Sequence, residues 1–369
     1  MNLEFLKKFF RRTKRTLRSS KNVIIHHYCP HTYNAGDHFV ILSIRHHLKR
    51  YLPDAVFVPK PIADNRGWGA PIGLRGQNID FSNKYADAVI LGGSDQYHDW
   101  SPRVSRKEIH ALIPPLFLIG LGASSKDLDQ PAYLSDEKLK ADIIATNNKC
   151  VLSSVRDEET RSFLRDLGIM HAINTGCPSL YLFHNDFHVR KSRKVALTFP
   201  YPLAHNDENK FKILISTMRD IASFLHKKNL IPIIVCHDDR DVEYAQTIFR
   251  DEYLFYSNYP VDYFEFYDRV LMVIGSRLHA SILASGMGVP NLNINLDLRG
   301  LGFTRDMGMQ DWHVNYNQPC LSEIIAARIE RVLTGDLQVF QVLGDNISKK
   351  FTVFDKFIED TALSIQGRK

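Results

Sequence analysis

Short apolar runs alternate with longer stretches of helical period along most of this chain. Asn22–Tyr28 is a β-branched run, followed by a turn-rich loop and a helical pattern from about His38 to Arg50. In that pattern Val40, Ile41, Ile44 and Leu48 share one face. Further runs at Ala88–Leu91, Leu116–Leu121 and Cys150–Val155 predict strands, the last feeding a helix from Asp157 to Asp166. Asn185–Lys194 is polar and basic, without periodicity, and reads as a linker. The pattern then restarts. Strands are expected at Lys194–Phe199, Leu230–Cys236, Val270–Ile274 and Asn291–Asn295. Helices are expected at Asn209–Lys227, Arg240–Phe249, Leu278–Met287, Leu321–Leu333 and Lys350–Ile365. Buried strands separated by helices predict parallel sheets covered on both faces. The fold class is therefore α/β, with two Rossmann-like, doubly wound domains facing a cleft. The expected parts are a segment 1–21, an N-terminal domain 22–185, a C-terminal domain 194–335 and a helical segment 336–369.

Charge changes the picture at one end only. The chain of 369 residues has a formal net charge of +6. Residues 1–21 hold Lys7, Lys8, Arg11, Arg12, Lys14, Arg15, Arg18 and Lys21 against the single anion Glu4, so the rest is close to neutral. A body of that balance is not built to grip nucleic acid. On a helical wheel Leu3, Phe5, Leu6, Phe9, Phe10 and Leu17 fill one half and the cations the other. That pattern suits an anionic membrane surface; a docking arm for another protein chain or a solvated basic arm is the alternative. No run approaches the roughly 20 apolar residues of a membrane span, and the N-terminus lacks the apolar core of a signal peptide. The five cysteines, Cys29, Cys150, Cys177, Cys236 and Cys320, are widely spaced and lack a CxxC, which argues against a zinc ribbon or a disulfide framework. The expected location is the cytoplasm, at the inner face of the membrane.

Candidate chemistry sits in loops after strands, where ligands bind in such sheets. Gly275-Ser276-Arg277-Leu278-His279 follows a buried strand and opens a helix. A helix N-terminus attracts anions, an arginine can clamp a carboxylate or phosphate, and a histidine can move a proton near neutrality. An arbitrary Arg-x-His is more often a surface arginine and a core or capping histidine. Ser154-Val155-Arg156-Asp157 places Arg156 at a strand end, with Asp157 as a helix cap or an ion-pair partner. Asn34-Ala35-Gly36-Asp37 offers polar groups and a close backbone approach, or simply a capped turn. Leu91-Gly92-Gly93 leads into Asp95, Gln96 and His98. A P-loop, GxGxxG after the first strand, G-x-S-x-G and HExxH are all absent. The pairs His26-His27 and His46-His47 have no partners at metal-ligand spacing, and no metal site is expected.

In combination, Asn34-x-Gly36-Asp37, Gly92-Gly93, Ser154-x-Arg156-Asp157 with Leu164 and Gly168, Gly176-Cys177-Pro178-Ser179-Leu180, Gly275–Ala280 and Gly288-x-Pro290 resemble the polysaccharide pyruvyl transferase family. The sequence departs from the family's usual pattern at Ser94, around Cys177 and at Arg299. The resemblance implies a GT-B-like fold and transfer of a pyruvyl group from phosphoenolpyruvate to two sugar hydroxyls, giving a ketal. The acceptor would be a cell-surface polysaccharide or its lipid-linked precursor, and no cofactor beyond the donor would be required. His279, Arg277 and Arg156 are then the candidate catalytic residues. Arg277, Arg156, Gly275 and Ser276 would hold the donor, and Asn34, Gly36, Asp37, Gly93 and Asp95 the acceptor. A sugar-nucleotide-dependent glycosyltransferase of the same architecture, or a non-catalytic membrane-docked partner in glycan assembly, is the alternative.

Overall fold

Among the described residues of a computed structural model, thirteen strands form two parallel sheets, with helices between them. The structure describes residues 22–30, 34–62, 72–93, 95–97, 104, 106–125, 128, 136–183, 185–201 and 207–367. The basic segment 1–21 lies outside the described residues. The first half runs β1 (Val23–Cys29), α1 (Ala35–Tyr51), β2 (Ala55–Pro61), α2 (Gln77–Tyr85), β3 (Ala88–Gly92), β4 (Asp95–Tyr97), α3 (Arg106–Ile109) and β5 (Leu116–Ala123). It continues with α4 (Glu137–Lys149), β6 (Leu152–Val155), α5 (Glu158–Asp166), β7 (Ile173–Asn174) and a 3-10 turn at Pro178–Tyr181. The second half runs β8 (Lys194–Thr198), α6 (Glu208–Lys227), β9 (Ile231–Val235), α7 (Asp239–Ile248), β10 (Tyr253–Phe255), α8 (Pro260–Tyr267), β11 (Met272–Gly275) and α9 (Leu278–Gly286). It ends with β12 (Asn291–Asn295), α10 (Leu298–Asp306), β13 (Val314–Asn315), α11 (Leu321–Leu333) and α12 (Gln338–Gln366).

The first sheet has the order β2-β1-β3-β5-β6-β7, with β4 beside β5; the second has β10-β9-β8-β11-β12-β13. Both are doubly wound. The strand order reverses between β1 and β3 in one and between β8 and β11 in the other. A crevice opens above such a reversal, because the flanking loops turn to opposite faces. The central strands β3 and β5 are buried along their whole length, which explains their unbroken apolar runs.

The strand ends of the two sheets face each other. Ala35, after β1, donates its N–H to the carbonyl of His237, after β9 (2.8 Å). Leu298, after β12, donates to Ser125, after β5 (3.3 Å). A second seam forms at Asp306, whose carboxylate accepts from Asn174 Nδ2 (2.7 Å), Glu158 N (3.3 Å) and Lys350 Nζ (3.1 Å). Helix α12 returns to the first half, where Asp355 holds Arg50 (2.8 Å) and Tyr51 (3.0 Å), and Tyr181 stacks on Phe354 at 4.7 Å.

Differences from the expected pattern have local causes. Helix α12 begins twelve residues before the expected Lys350, because buried Phe340, Leu343 and Ile347 extend its stripe past Gly344 and a polar stretch. Helix α10 was hidden by Gly300 and Gly302. Both glycines are crowded: a side chain at 300 would meet Asn295 Oδ1 at 2.8 Å, and one at 302 the Asp157 carboxyl at 3.2 Å. Strand β2 carries Pro59 and Pro61, which an edge strand tolerates. None of the five cysteines is in a disulfide. No helix among the described residues is long and apolar enough to cross a membrane.

Buried histidines make the fold acid-sensitive. Burial, and then Lys60, push His26 from its ordinary 6.5 to about 4. Burial likewise takes His47 to about 4 and His313 to about 3. Between pH 6.5 and these values the unfolded chain binds protons that the folded chain refuses, so stability should fall as pH drops through that window. His47 Nε2 donates to the Tyr181 carbonyl (2.9 Å), a bond a glutamine amide can replace. His47→Gln should therefore flatten the pH dependence of the unfolding free energy from urea titrations, by up to about 1.4 kcal/mol per pH unit. An unchanged slope would contradict this assignment.

Candidate active site

The two reversals bring four loops together. On the second sheet they follow β8, β9 and β11, and their common anchor is Asp241 in the first turn of α7. This buried carboxylate accepts the backbone N–H of Tyr201 (3.0 Å), His237 (3.0 Å) and Asp238 (3.2 Å). It also takes Arg277 Nε (3.0 Å) and, through its other oxygen, Arg277 Nη2. The pair is bidentate, and the side-chain exposures are 1% for Asp241 and 13% for Arg277. Such geometry fixes both the place and the plane of the guanidinium, whose remaining N–H groups are available to a ligand.

Gly275 is required at the turn into α9. Its φ is +149°, and a side chain there would run into the carbonyl of Thr198. The close approach lets Ser276 N donate to Thr198 O (3.0 Å). Arg277 occupies the position before α9 without capping it through its side chain, and its carbonyl accepts from Ala280 N (2.9 Å); the positive dipole end of a helix start favours an anion. Thr198 Oγ1, Ser276 Oγ and Ser281 Oγ are buried and make no hydrogen bond. Buried hydroxyls without a partner call for one.

His279, in the first turn of α9, meets the first sheet. A side chain on Gly36 would stand 2.5 Å from His279 Nδ1, so only glycine lets the β1–α1 loop close on the ring. Asn34 caps α1, its Oδ1 accepting from Gly36 N (2.9 Å), and Asp37 is buried in the first turn. Phe39 follows, edge-on to His237 at 5.8 Å. Gly93, after β3, donates its N–H to Ile119 O (3.4 Å) and lies against Val40 of α1. The backbone of Asp95 pairs with Gly122 in β4; its side chain lies outside the described residues. Thus Gly36, Gly275, Ser276, Arg277 and His279 converge, with Asn34, Asp37 and Gly93 on the adjoining wall.

Arg156 lies in a second cluster. At the end of β6 its guanidinium spreads over Gly122, donating to Ala123 O (3.3 Å) and Asp157 Oδ2 (3.2 Å), with both side chains 4% exposed. Asp157 caps α5 through Thr160 N (2.7 Å). Burial pushes the Asp157 carboxyl up, and Arg156 opposes that. This cluster meets α10 at Gly302 and lies near Asp306.

Sequence reasoning missed Asp241, His237 and Asp238. Asp238 and Asp241 form a capping box at the start of α7, a spacing visible in the sequence. Nothing in the spacing shows that the second carboxylate also holds Arg277. His237 is kept neutral: burial first, then the charges of Arg277 and His279, hold its ring well below the ordinary range. Its Nε2 lies 2.7 Å from the Tyr267 hydroxyl.

The profile of the family described as polysaccharide pyruvyl transferase matches residues 34–297, from the β1–α1 loop to the loop after β12. The chain belongs to this family. Among solved structures it is similar to the UDP-GlcNAc 2-epimerase of Neisseria meningitidis bound to UDP-GlcNAc, with TM-score 0.55 and 11% identity over 95% of this chain and 100% of that one. The Methanocaldococcus jannaschii UDP-GlcNAc 2-epimerase, in complex with UDP-GlcNAc and UDP, gives 0.52 and 10% over 90% and 100%. The Rickettsia bellii UDP-N-acetylglucosamine 2-epimerase gives 0.50 and 9% over 92% and 99%. At these identities the likeness is one of fold, and this pyruvyl transferase family member is GT-B-like. It matches no curated protein.

Removing the anchor should be costly. Asp241→Ala leaves Arg277 and three backbone N–H groups buried without their acceptor, at about 3–5 kcal/mol of unfolding free energy. Exposed Glu243→Ala, on the same helix, should stay within about 0.5 kcal/mol. Urea unfolding of both variants checks this, and equal midpoints would refute the hub role.

Proposed function

We propose that this pyruvyl transferase family member moves the pyruvyl group of phosphoenolpyruvate onto two hydroxyls of a sugar, in a cell-surface polysaccharide or its lipid-linked precursor. One observation carries the reading. The uncapped start of α9, the oriented Arg277 and the unmatched hydroxyls of Thr198 and Ser276 form a site for an anion, and His279 stands beside it against the opposite domain. Phosphoenolpyruvate carries a phosphate and a carboxylate, the two groups such a site selects.

The chemistry balances without a redox partner. A sugar hydroxyl oxygen bonds to the central carbon of the enol as the terminal carbon takes a proton. The second hydroxyl then replaces the phosphate, which leaves as inorganic phosphate, and the ketal is complete. His279 supplies the proton and accepts one from the attacking hydroxyl. Arg277 and the helix N-terminus stabilise the charge gathering on the leaving phosphate. Asp241 holds the guanidinium so that this stabilisation needs no reorganisation. Asn34, Gly36, Asp37, Gly93 and Asp95 form the acceptor side. Arg156, committed to Asp157 and Ala123, supports the cleft wall.

The same reading places the enzyme on the cytoplasmic face of a membrane. Residues 1–21, with cations on one side and Leu3, Phe5, Leu6, Phe9, Phe10 and Leu17 on the other, would lie on anionic lipid near lipid-linked acceptors. A glycosyltransferase on the same architecture would instead release a nucleoside diphosphate.

Incubation with phosphoenolpyruvate and cell-envelope glycan intermediates should release phosphate and add a pyruvyl mass to the glycan. His279→Ala and Arg277→Ala should each lower kcat by about 100-fold or more. Wild-type turnover in both variants, or release of a nucleoside diphosphate from a sugar nucleotide, would overturn the assignment.

A further inference from the structure

Helix α2 covers the first sheet through one face and leaves the other uncovered. Asn78, Ile79 and Ser82 are buried. The Tyr28 hydroxyl donates to Asn78 O (3.0 Å), and Ser82 Oγ lies 3.1 Å from His26 Nδ1. Phe81, Lys84 and Tyr85 share the outward face, as helical spacing requires. Phe81 is 46% exposed and Tyr85 51%, and their rings stack at 6.0 Å with an interplanar angle of 27°. Lys60 Nζ stands 5.2 Å over the Phe81 ring, and Lys84 Nζ 5.1 Å over the Tyr85 ring.

Edge strand β2 continues this surface. Its register with β1 pairs Val56 with Ile24, Val58 with His26 and Lys60 with Tyr28. Val56, Val58 and Lys60 therefore lie on the face that α2 covers, and Val56 is 40% exposed. Two stacked aromatic rings, valines at the sheet edge and two lysines poised over the rings make an amphipathic surface. Aromatic rings with cations at their rim settle at the boundary between lipid and water.

Its place in the fold names the occupant. Asp87, two residues beyond Tyr85, accepts Ile24 N through its carboxylate (2.8 Å) and donates its own N–H to Ile24 O (2.8 Å). Ile24 is the second residue of β1, so the covalent link to the preceding chain, residues 1–21, is at this end of the sheet. That chain carries eight cations and an apolar half. The strand ends that bear the candidate active site are at the opposite end of the sheet.

We propose that the outward face of α2 and the adjoining edge of β2 form a second membrane contact, which binds an anionic bilayer together with residues 1–21. The inference rests on the membrane reading of that segment. A single weak anchor binds lipid only marginally, and a second contact on the same body converts it into stable attachment. Lys60 and Lys84 meet the anionic headgroups, and Phe81 and Tyr85 enter the interface between them.

Co-sedimentation with phosphatidylglycerol vesicles and with pure phosphatidylcholine vesicles tests it. The proteins are the full chain, Phe81→Ala/Tyr85→Ala, Lys60→Glu/Lys84→Glu and the chain lacking residues 1–21. Each double variant should keep the parental melting temperature and bind phosphatidylglycerol vesicles about tenfold more weakly. Phosphatidylcholine binding should be weak for all, and the phosphatidylglycerol binding should fade at high salt. Parental binding by both double variants would overturn the proposal and leave the surface to some other use. Unchanged binding by the shortened chain would overturn the reading of residues 1–21 instead, and the two failures are separate. Transfer activity toward a soluble acceptor should be the same in all four.

Discussion

One buried carboxylate organises the second domain's share of the site. Asp241 gathers the backbone of three residues after β8 and β9 and the guanidinium after β11. A buried ion pair is a weak source of stability when compared with apolar packing of the same volume. Its use here is geometric. The loops after β8, β9 and β11 come from three separate strands, and Asp241 bonds to all three. Tied to one carboxylate, they present Arg277, the start of α9 and the Thr198 hydroxyl in one fixed relation. Fixed dipoles and cations in a dry site are what a developing phosphate charge needs.

The sheets decide where that relation is placed. Each is doubly wound, so each opens a crevice at a single reversal of strand order. Ala35 bonding to His237, and Gly36 packing on His279, put the reversal of the first sheet over that of the second. The Asp306 seam and helix α12 hold the two halves in this pose from the other side. Arg156 is bonded to Asp157 and Ala123 at the end of β6. Strand β6 stands two places beyond β3, which borders the reversal of the first sheet.

Much of this was legible in the sequence. The central strands were readable because burial on both faces leaves long apolar runs, and Gly275-Ser276-Arg277-Leu278-His279 stood out as a strand end opening a helix. The strand order of each sheet was not readable, because hydrophobic pattern records burial and not neighbours. Asp241 was hidden for a related reason: its short-range role as a cap is a spacing, whereas its grip on Arg277 spans thirty-six residues and exists only in the folded chain. Helix α10 and strand β2 were obscured by glycines and prolines that a crowded junction and a sheet edge tolerate.

The central claim is that Arg277, held by Asp241, is the anion clamp of the site. Calorimetric titration of phosphoenolpyruvate into the wild-type protein and into Arg277→Ala and Arg156→Ala tests it most directly. The account predicts that Arg277→Ala weakens binding by about tenfold or more, the loss of a charge-assisted bidentate contact, whereas Arg156→Ala, corrected for any loss of folded protein, binds as the wild type does. Equal affinity for the wild type and Arg277→Ala would contradict it.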